Sequence, residues 1–261
     1  MKYRAVVFDL DDTLVWDERL SRQALMETAA RAAEATGGDA GRLAAGAQLA
    51  MNELWHAHAP VDRCESLGIV AFEGMWGHFH GEEDYLRHLR EWVPWFRSEI
   101  WARALASQAQ GNQNLAGELG AFFQRRRREL QDHLPGAVEV LHKLQQAGAR
   151  IGLLTNGAPD LQREKIEVSG LGMFFDAAVV SGELGTGKPE PEIFHHLLGL
   201  LSVAPAESLM VGNSLSRDIV GGKRAGMHTC WLALEGEDEP VGLVEPDYTI
   251  RSLGELPRLV I

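Results

Sequence analysis

The stretch Arg4-Ala5-Val6-Val7-Phe8-Asp9-Leu10-Asp11-Asp12-Thr13 decides how the rest of the chain is read. Arg4 to Leu10 is a short apolar run closed by acids, the pattern of a buried strand. Asp9 and Asp11 stand two residues apart at its end, so in extended geometry both carboxylates project to the same side. Two adjacent carboxylates repel, and one of them needs a cation or a raised pKa. That suits a division of labour: one stays ionised as nucleophile and metal ligand, the other exchanges a proton. The same residues also read as an acidic turn capping the next helix. Asp12 reads as a turn residue.

Residues 17–132 come next, rich in Ala, Leu, Glu, Arg and Gln and poor in strand-like runs. Leu20, Ala24, Leu25 and Thr28 recur near helical spacing, and the whole stretch reads as several helices. Residues 82–110 also read as helix, with Tyr85, Leu86, Leu89, Trp92 and Val93 on one side; Pro94 is expected to interrupt or restart it. The segment Glu73 to Gly81 holds three glycines and reads as a loop or hinge. Arg125 to Arg128 spread around a helix circumference, so they read as a solvated helix end rather than one binding face.

After Leu134-Pro135-Gly136 the pattern changes. Helix over 137–147, strand over 150–154, a second helix, strand over 177–181, helix over 191–201, strand over 208–211, a fourth helix and strand over 229–234 alternate. This predicts an α/β fold, a doubly wound parallel (Rossmann-like) sheet with helices on both faces. Ligands of such sheets sit at the carboxyl ends of the strands. The first strand is cut off from its sheet by the helical insertion. The expected organisation is a core of residues 1–16 and 133–261 with an inserted all-helical domain at 17–132.

Three further motifs fall at predicted strand ends. In Leu153-Leu154-Thr155-Asn156-Gly157, a hydroxyl and a helix N-terminus suit a phosphate oxygen; an N-cap and turn is the other reading. In Gly185-Thr186-Gly187-Lys188-Pro189, a lysine of restricted backbone freedom suits neutralisation of a phosphate oxygen and a carboxylate nucleophile; a solvated lysine is the alternative. Val211-Gly212-Asn213-Ser214, with Asp218 beyond, offers oxygen ligands that would complete an octahedral magnesium site with Asp9, a backbone carbonyl and waters. A helix cap is its other reading.

In this order the motifs resemble those of the haloacid dehalogenase (HAD) superfamily: Asp9-x-Asp11-x-Thr13, Thr155, Lys188, and Gly212-Asn213 followed by Asp218-Ile219-Val220-Gly221-Gly222 and Ala225-Gly226-Met227. The core resemblance covers about residues 3–15 and 134–234, and 17–132 resembles the family's helical cap placed between its first two motifs. The resemblance implies that Asp9 attacks phosphorus and forms an aspartyl-phosphate. Asp11 protonates the leaving oxygen and then deprotonates the hydrolytic water. Thr155 and the Asn156 amide hold phosphoryl oxygens, and Lys188 balances charge. Mg2+ is held by Asp9, the Asp11 carbonyl, and Asn213 or Asp218.

The family usually has Asp at position 213. An amide oxygen can bind magnesium without bringing negative charge, so the choice between Asn213 and Asp218 stays open. Caps of this kind are implied to close over the site and to set specificity. Trp76, His78 and His80 are the candidates for substrate contact, with His56 and His58 beside them; packing or surface exposure is the plainer reading of each. His-x-His on a helix points its rings apart, which argues against a metal there.

The expected activity is that of a magnesium-dependent phosphatase acting on a small phosphorylated metabolite. A phosphomutase and a non-catalytic binding protein share the motifs; a dehalogenase proper usually lacks Asp11. The 261 residues and 45% hydrophobic content allow a core plus an inserted domain. A net charge of −12 excludes a footprint for nucleic acid or an anionic membrane. No apolar stretch approaches the ~20 residues of a membrane span. The opening MKYRAVVFDL is too short an apolar run, and too acidic, for a signal peptide. Cys64 and Cys230 lack metal or disulfide spacing, so a reducing cytoplasm is expected. Five of the seven tryptophans lie within 17–132 and read either as an interface or as that domain's own core. Monomer and homodimer are both compatible with this.

Overall fold

The computed structural model describes residues 2–109, 111–234 and 244–261. Strand β1 (Ala5–Phe8) is followed by six helices: α1 (Glu18–Thr36), α2 (Ala40–His58), α3 (Val61–Leu67), α4 (Ala71–Trp76), α5 (Asp84–Ala106) and α6 (Gln113–Glu129). Then come α7 (Ala137–Gln146), β2 (Arg150–Thr155), α8 (Pro159–Val168), β3 (Ala177–Val180), α9 (Ser181–Leu184), α10 (Pro191–Leu201), β4 (Ser208–Gly212), α11 (Val220–Arg224), β5 (His228–Leu232), β6 (Tyr248–Ile250) and α12 (Pro257–Val260).

All four residues of β1 are buried, as a run without polar alternation requires of a central parallel strand. It lies between β2 and β4, with Phe8 level with Leu153 on one side and Val211 on the other. The parallel order is β3-β2-β1-β4-β5-β6. Side chains alternate between two cores. Val6 and Phe8 join Ile151, Leu153, Leu209 and Val211 against Val140, Leu141 and Leu144 of α7. Ala5 and Val7 join Leu154 and Met210 against Ile193, Phe194, Leu197 and Leu201 of α10. This is the doubly wound parallel sheet expected from the helix–strand alternation. β6 was not anticipated, because three residues are too short to carry a period-two signal.

Two compact units are present. One comprises Met1–Trp16, Asp132–Gly157 and Gln162–Ile261; the other comprises Asp17–Gln131 and Ala158–Leu161. In the helical unit, Leu20, Ala24, Leu25 and Thr28 are all buried on one face of α1. Asp39 starts α2 by accepting from the Arg42 N–H at 2.7 Å, and Asn112 starts α6 by accepting from Leu115 at 3.1 Å.

Two expectations, the break at Pro94 and the loop at Glu73, fail here for tertiary reasons. Pro94 does not break α5, which runs unbroken through it. An interior proline costs about 3 kcal/mol, whereas burying Leu89, Phe96, Ile100 and Trp101 returns about 1.5–3 kcal/mol each. The helix predicted over 82–110 spans Asp84–Ala106; Gln110 lies outside the described residues. Glu73 to Trp76 is helix rather than loop. Gly74 serves packing, since a Cβ there would meet Trp55 at 2.6 Å and Phe96 at 2.9 Å.

The arginine run is not simply solvated. Arg127 is buried, paired with Asp17 at 2.5 Å and donating to Ser21 Oγ at 2.9 Å. Arg126 pairs with Glu27, and Arg128 donates to the Trp76 carbonyl at 2.6 Å. Among these four, Arg125 is exposed.

Candidate active site

The register of β1 explains why distant motifs meet. With Phe8 level with Leu153 and Val211, the next residues of the three strands are Asp9, Leu154-Thr155 and Gly212-Asn213. The ladder continues one step further, the Asp9 N–H donating to the Val211 carbonyl at 3.0 Å. Asp9, Thr155 and Asn213 therefore emerge at one sheet edge, where the strand order turns back on itself.

Asp9 is 7% exposed. One of its oxygens accepts from Lys188 Nζ at 2.6 Å, and the other faces Thr13 Oγ1 at 3.4 Å. Lys188 Nζ also pairs with Asp218 Oδ1 at 2.7 Å and donates to the Leu154 carbonyl at 2.8 Å. The lysine is thus wedged between two buried carboxylates. Burial raises the Asp9 carboxyl above its ordinary value against the opposing pull of Lys188, and the Asp218 charge adds to the rise. Burial disfavours the Lys188 ammonium, but Asp218 and Asp9 outweigh it and the pKa is raised.

Asn156 fixes the lysine's backbone. Its side-chain amide donates to the Lys188 carbonyl and accepts from the Lys188 N–H, both at 2.9 Å. Thr155 is buried at the end of β2, its hydroxyl 3.4 Å from the Asn156 carbonyl. Gly157 N–H donates to Ser181 Oγ at 2.9 Å, tying the loop after β2 to α9.

The fourth motif leaves β4 through Gly212 and enters a turn of π-helix over Leu215–Ile219, a form frequent at functional sites. Asp218 lies in that turn, fully buried, with Oδ2 accepting from the Ser214 N–H at 3.0 Å. A Cβ on Gly212 would overlap Asp218 Oδ2 and Cγ and meet its Cβ at 2.8 Å, so the carboxylate needs glycine there. Asn213 is pinned by its backbone: its N–H donates to Thr13 Oγ1 at 3.1 Å and its carbonyl accepts from Trp231 Nε1 at 2.8 Å. Its side-chain oxygen lies 3.4 Å from the same Thr13 hydroxyl that faces Asp9.

The donor set suits a hard cation. Asp9 Oδ2 and Asn213 Oδ1 flank one hydroxyl, and both are oxygen ligands of the type magnesium takes. Among the described residues, no cluster of three or more His, Cys, Asp or Glu side chains could hold a metal. Asp218 Oδ2 accepts from the Ser214 N–H, whereas the buried Oδ1 has the Lys188 ammonium at 2.7 Å as an ion pair but accepts no hydrogen bond among the described residues.

Two side chains at Asp11 were not foreseen. Lys165 Nζ lies 2.9 Å from each Asp11 oxygen, and Gln162 Nε2 donates to Asp11 Oδ2 and to the Asn156 carbonyl, both at 2.9 Å. Both residues are buried on α8. Gln and Lys three apart read as an ordinary helix surface, so nothing in the sequence set them apart.

In the helical unit, Trp76 is 1% exposed beneath Arg127 and Arg128, whose guanidinium carbons lie 4.6 and 5.4 Å from its ring. It offers a substrate no surface, because its indole is core. His78 and His80 are exposed. Their rings stack with centroids 5.4 Å apart, since the segment is not helical and Phe79 between them takes φ 57°. The expected divergence of a helical His-x-His does not apply to them.

A family model for haloacid dehalogenase-like hydrolases matches residues 3–226. The chain belongs to this family and is a hydrolase of its phosphatase type. It is 36% identical over 257 residues to the phosphoserine phosphatase of Thermus thermophilus, covering 97% of each chain. It is 31% identical over 268 residues to the human N-acylneuraminate-9-phosphatase, covering 99% of this chain and 94% of that one. Among solved structures, the magnesium-bound HAD-hydrolase YfnB of Bacillus subtilis shares the fold with a TM-score of 0.66 at 23% identity, covering 100% of this chain and 99% of the other. Among the described residues, no helix is long and apolar enough to cross a membrane.

Proposed function

We propose that this chain is a magnesium-dependent phosphatase that hydrolyses a small phosphate monoester through an aspartyl-phosphate on Asp9. The carrying observation is the charge balance at the sheet edge. Asp9 and Asp218 share one ammonium, so the trio keeps one uncompensated negative charge. A phosphate dianion would be repelled by it, and a divalent cation reverses the sign. Asp9 and Asn213 would hold that cation, with the Asp11 carbonyl and waters. Asp218 would serve Lys188 instead. When bound, magnesium would neutralise phosphoryl charge and steady the group against Asp9.

Asp9 attacks phosphorus as the bond to the ester oxygen breaks. Asp11 protonates that oxygen as it leaves. Asp11 then takes a proton from a water whose oxygen attacks the aspartyl-phosphate, and inorganic phosphate departs with Asp9 restored. Lys188 balances the growing charge. The Asn156 side chain is occupied by the Lys188 backbone, so its contribution to a phosphoryl group is its backbone N–H, beside the Thr155 hydroxyl. Among the exposed rings of the helical unit, His78 and His80 are the ones proposed for substrate contact.

The test is release of phosphate from p-nitrophenyl phosphate with magnesium, then a panel holding O-phosphoserine, pyrimidine 5′-nucleotides, N-acylneuraminate 9-phosphate and glyceraldehyde 3-phosphate. Loss of activity on chelation and in Asp9→Asn supports the reading. Retained turnover in Asp9→Asn, or no phosphate release from any ester, overturns it.

A further inference from the structure

The buried lysine of α8 has no part in the reaction described so far. Its ammonium sits 2.9 Å from both Asp11 oxygens while its side chain is 4% exposed. Gln162, one turn earlier, donates at once to Asp11 Oδ2 and to the Asn156 carbonyl. Positions three apart on a helix lie on one face, so α8 aims both groups at the same carboxylate. We propose that Lys165 and Gln162 are positioning residues that fix the Asp11 carboxylate in register with the phosphate-binding loop.

Three observations carry this. Burying an ammonium is costly, and the expense is met only where its partner is held in good geometry. Asp11 lies beyond the end of β1, in a segment joined to Val15 by an isolated bridge, so the sheet does not orient its side chain. Gln162 links that side chain to Asn156, whose amide in turn grips the Lys188 backbone. Proton donor, phosphate loop and charge-balancing lysine are thereby joined through hydrogen bonds rather than through the sheet. Proton transfer depends steeply on such placement.

The inference rests on the reading of Asp11 as the proton-transfer group, and the experiment separates the two. kcat/KM, which reports the chemistry up to phosphoryl transfer, is measured for p-nitrophenyl phosphate and for benzyl phosphate. The nitrophenolate leaves without a proton, whereas the benzyl alcohol oxygen needs one. In Gln162→Leu, which removes a contact to Asp11 and no charge, the ratio of the two values rises about tenfold or more in favour of the aryl ester; Lys165→Met moves it the same way because lost placement outweighs the easier protonation of an Asp11 freed from the ammonium. Lys165→Arg restores a ratio within about threefold of wild type. A merely structural lysine would lower both esters equally, and that result overturns the inference. Gln162→Leu removes no charge and carries the same test should Lys165→Met fail to fold. Asp11→Asn is the control. If it shifts the ratio while the α8 variants do not, the positioning role fails alone; if it leaves the ratio unmoved, the reading of Asp11 fails.

Discussion

Substitution of Gly212 by alanine is the sharpest perturbation of this site, because it adds one methyl group and touches no catalytic atom directly. The new Cβ would overlap Asp218 Oδ2 and Cγ and sit 2.8 Å from its Cβ, so rotation of the carboxylate alone gives no relief. Either the π-helical turn shifts or the Asp218 side chain leaves its place. Overpacking of this kind costs about 1–3 kcal/mol. Displacing Asp218 also breaks its contacts with Lys188 and the Ser214 N–H. Losing one partner of a buried pair costs about 3–5 kcal/mol, but Lys188 keeps Asp9 and the Leu154 carbonyl, which halves the penalty roughly.

The sum is about 4 kcal/mol, or a fall in Tm on the order of 10 °C for a chain of this size. Activity should fall about 100-fold, since Lys188 loses the carboxylate that centres it. Thermal unfolding by circular dichroism and kcat on an aryl phosphate measure the two effects. Gly199→Ala supplies the contrast: nothing lies within 4 Å of its Cβ on α10, and a stabilisation of about 0.5–1 kcal/mol is expected. A Gly212→Ala protein with wild-type Tm and activity would refute the packing of Asp218 beneath this strand end.

Asn213→Asp should tighten magnesium binding by about tenfold, read by titration calorimetry without substrate; an unchanged affinity would show that position 213 does not ligate. Arg127→Met should destabilise the helical unit by about 1–3 kcal/mol through the loss of the buried guanidinium's bonds to Asp17 and Ser21, and an unaltered urea midpoint would contradict this. Burial pushes the thiols of Cys64 and Cys230 up to about 12, with Glu73 and Glu255 adding to the rise, and burial does the same to Tyr85. These groups stay neutral in the fold and ionise sooner in the unfolded chain. Their stabilisation is complete below the ordinary thiol value of 9.0 and is lost as pH climbs toward about 12. The urea midpoint should therefore fall over that window, and a thiol reagent at pH 8 should find both cysteines only after denaturation.

The sheet was legible, β6 apart, because its central strands are buried on both faces and announce themselves as apolar runs. Once β1 is known to be central, its register with β2 and β4 forces Asp9, Thr155 and Asn213 together, and Lys188 follows because Asn156 grips its backbone. What the chain hid depends on partners far away in sequence. Gly74 looks like a hinge until Trp55 and Phe96 are seen against it. Pro94 looks like a break until the burial of α5 outweighs it. Arg127 looks solvated until Asp17, 110 residues earlier, closes on it. Lys165 and Gln162 carry residue types that normally face water, and only the position of Asp11 turns them inward.

Asn213 changes meaning in this light. With Asp218 committed to Lys188, an aspartate at 213 would place a second uncompensated negative charge beside Asp9, across the single hydroxyl of Thr13. Without magnesium that arrangement would be repulsive beside Asp9, whose carboxyl is already raised by burial. The amide keeps an oxygen in the same place and removes the repulsion. Its drawback is a weaker hold on the cation. If position 213 holds the proposed magnesium, the amide would trade metal affinity for a site that tolerates being empty, and the Trp231 and Thr13 bonds to the Asn213 backbone would hold that oxygen in place.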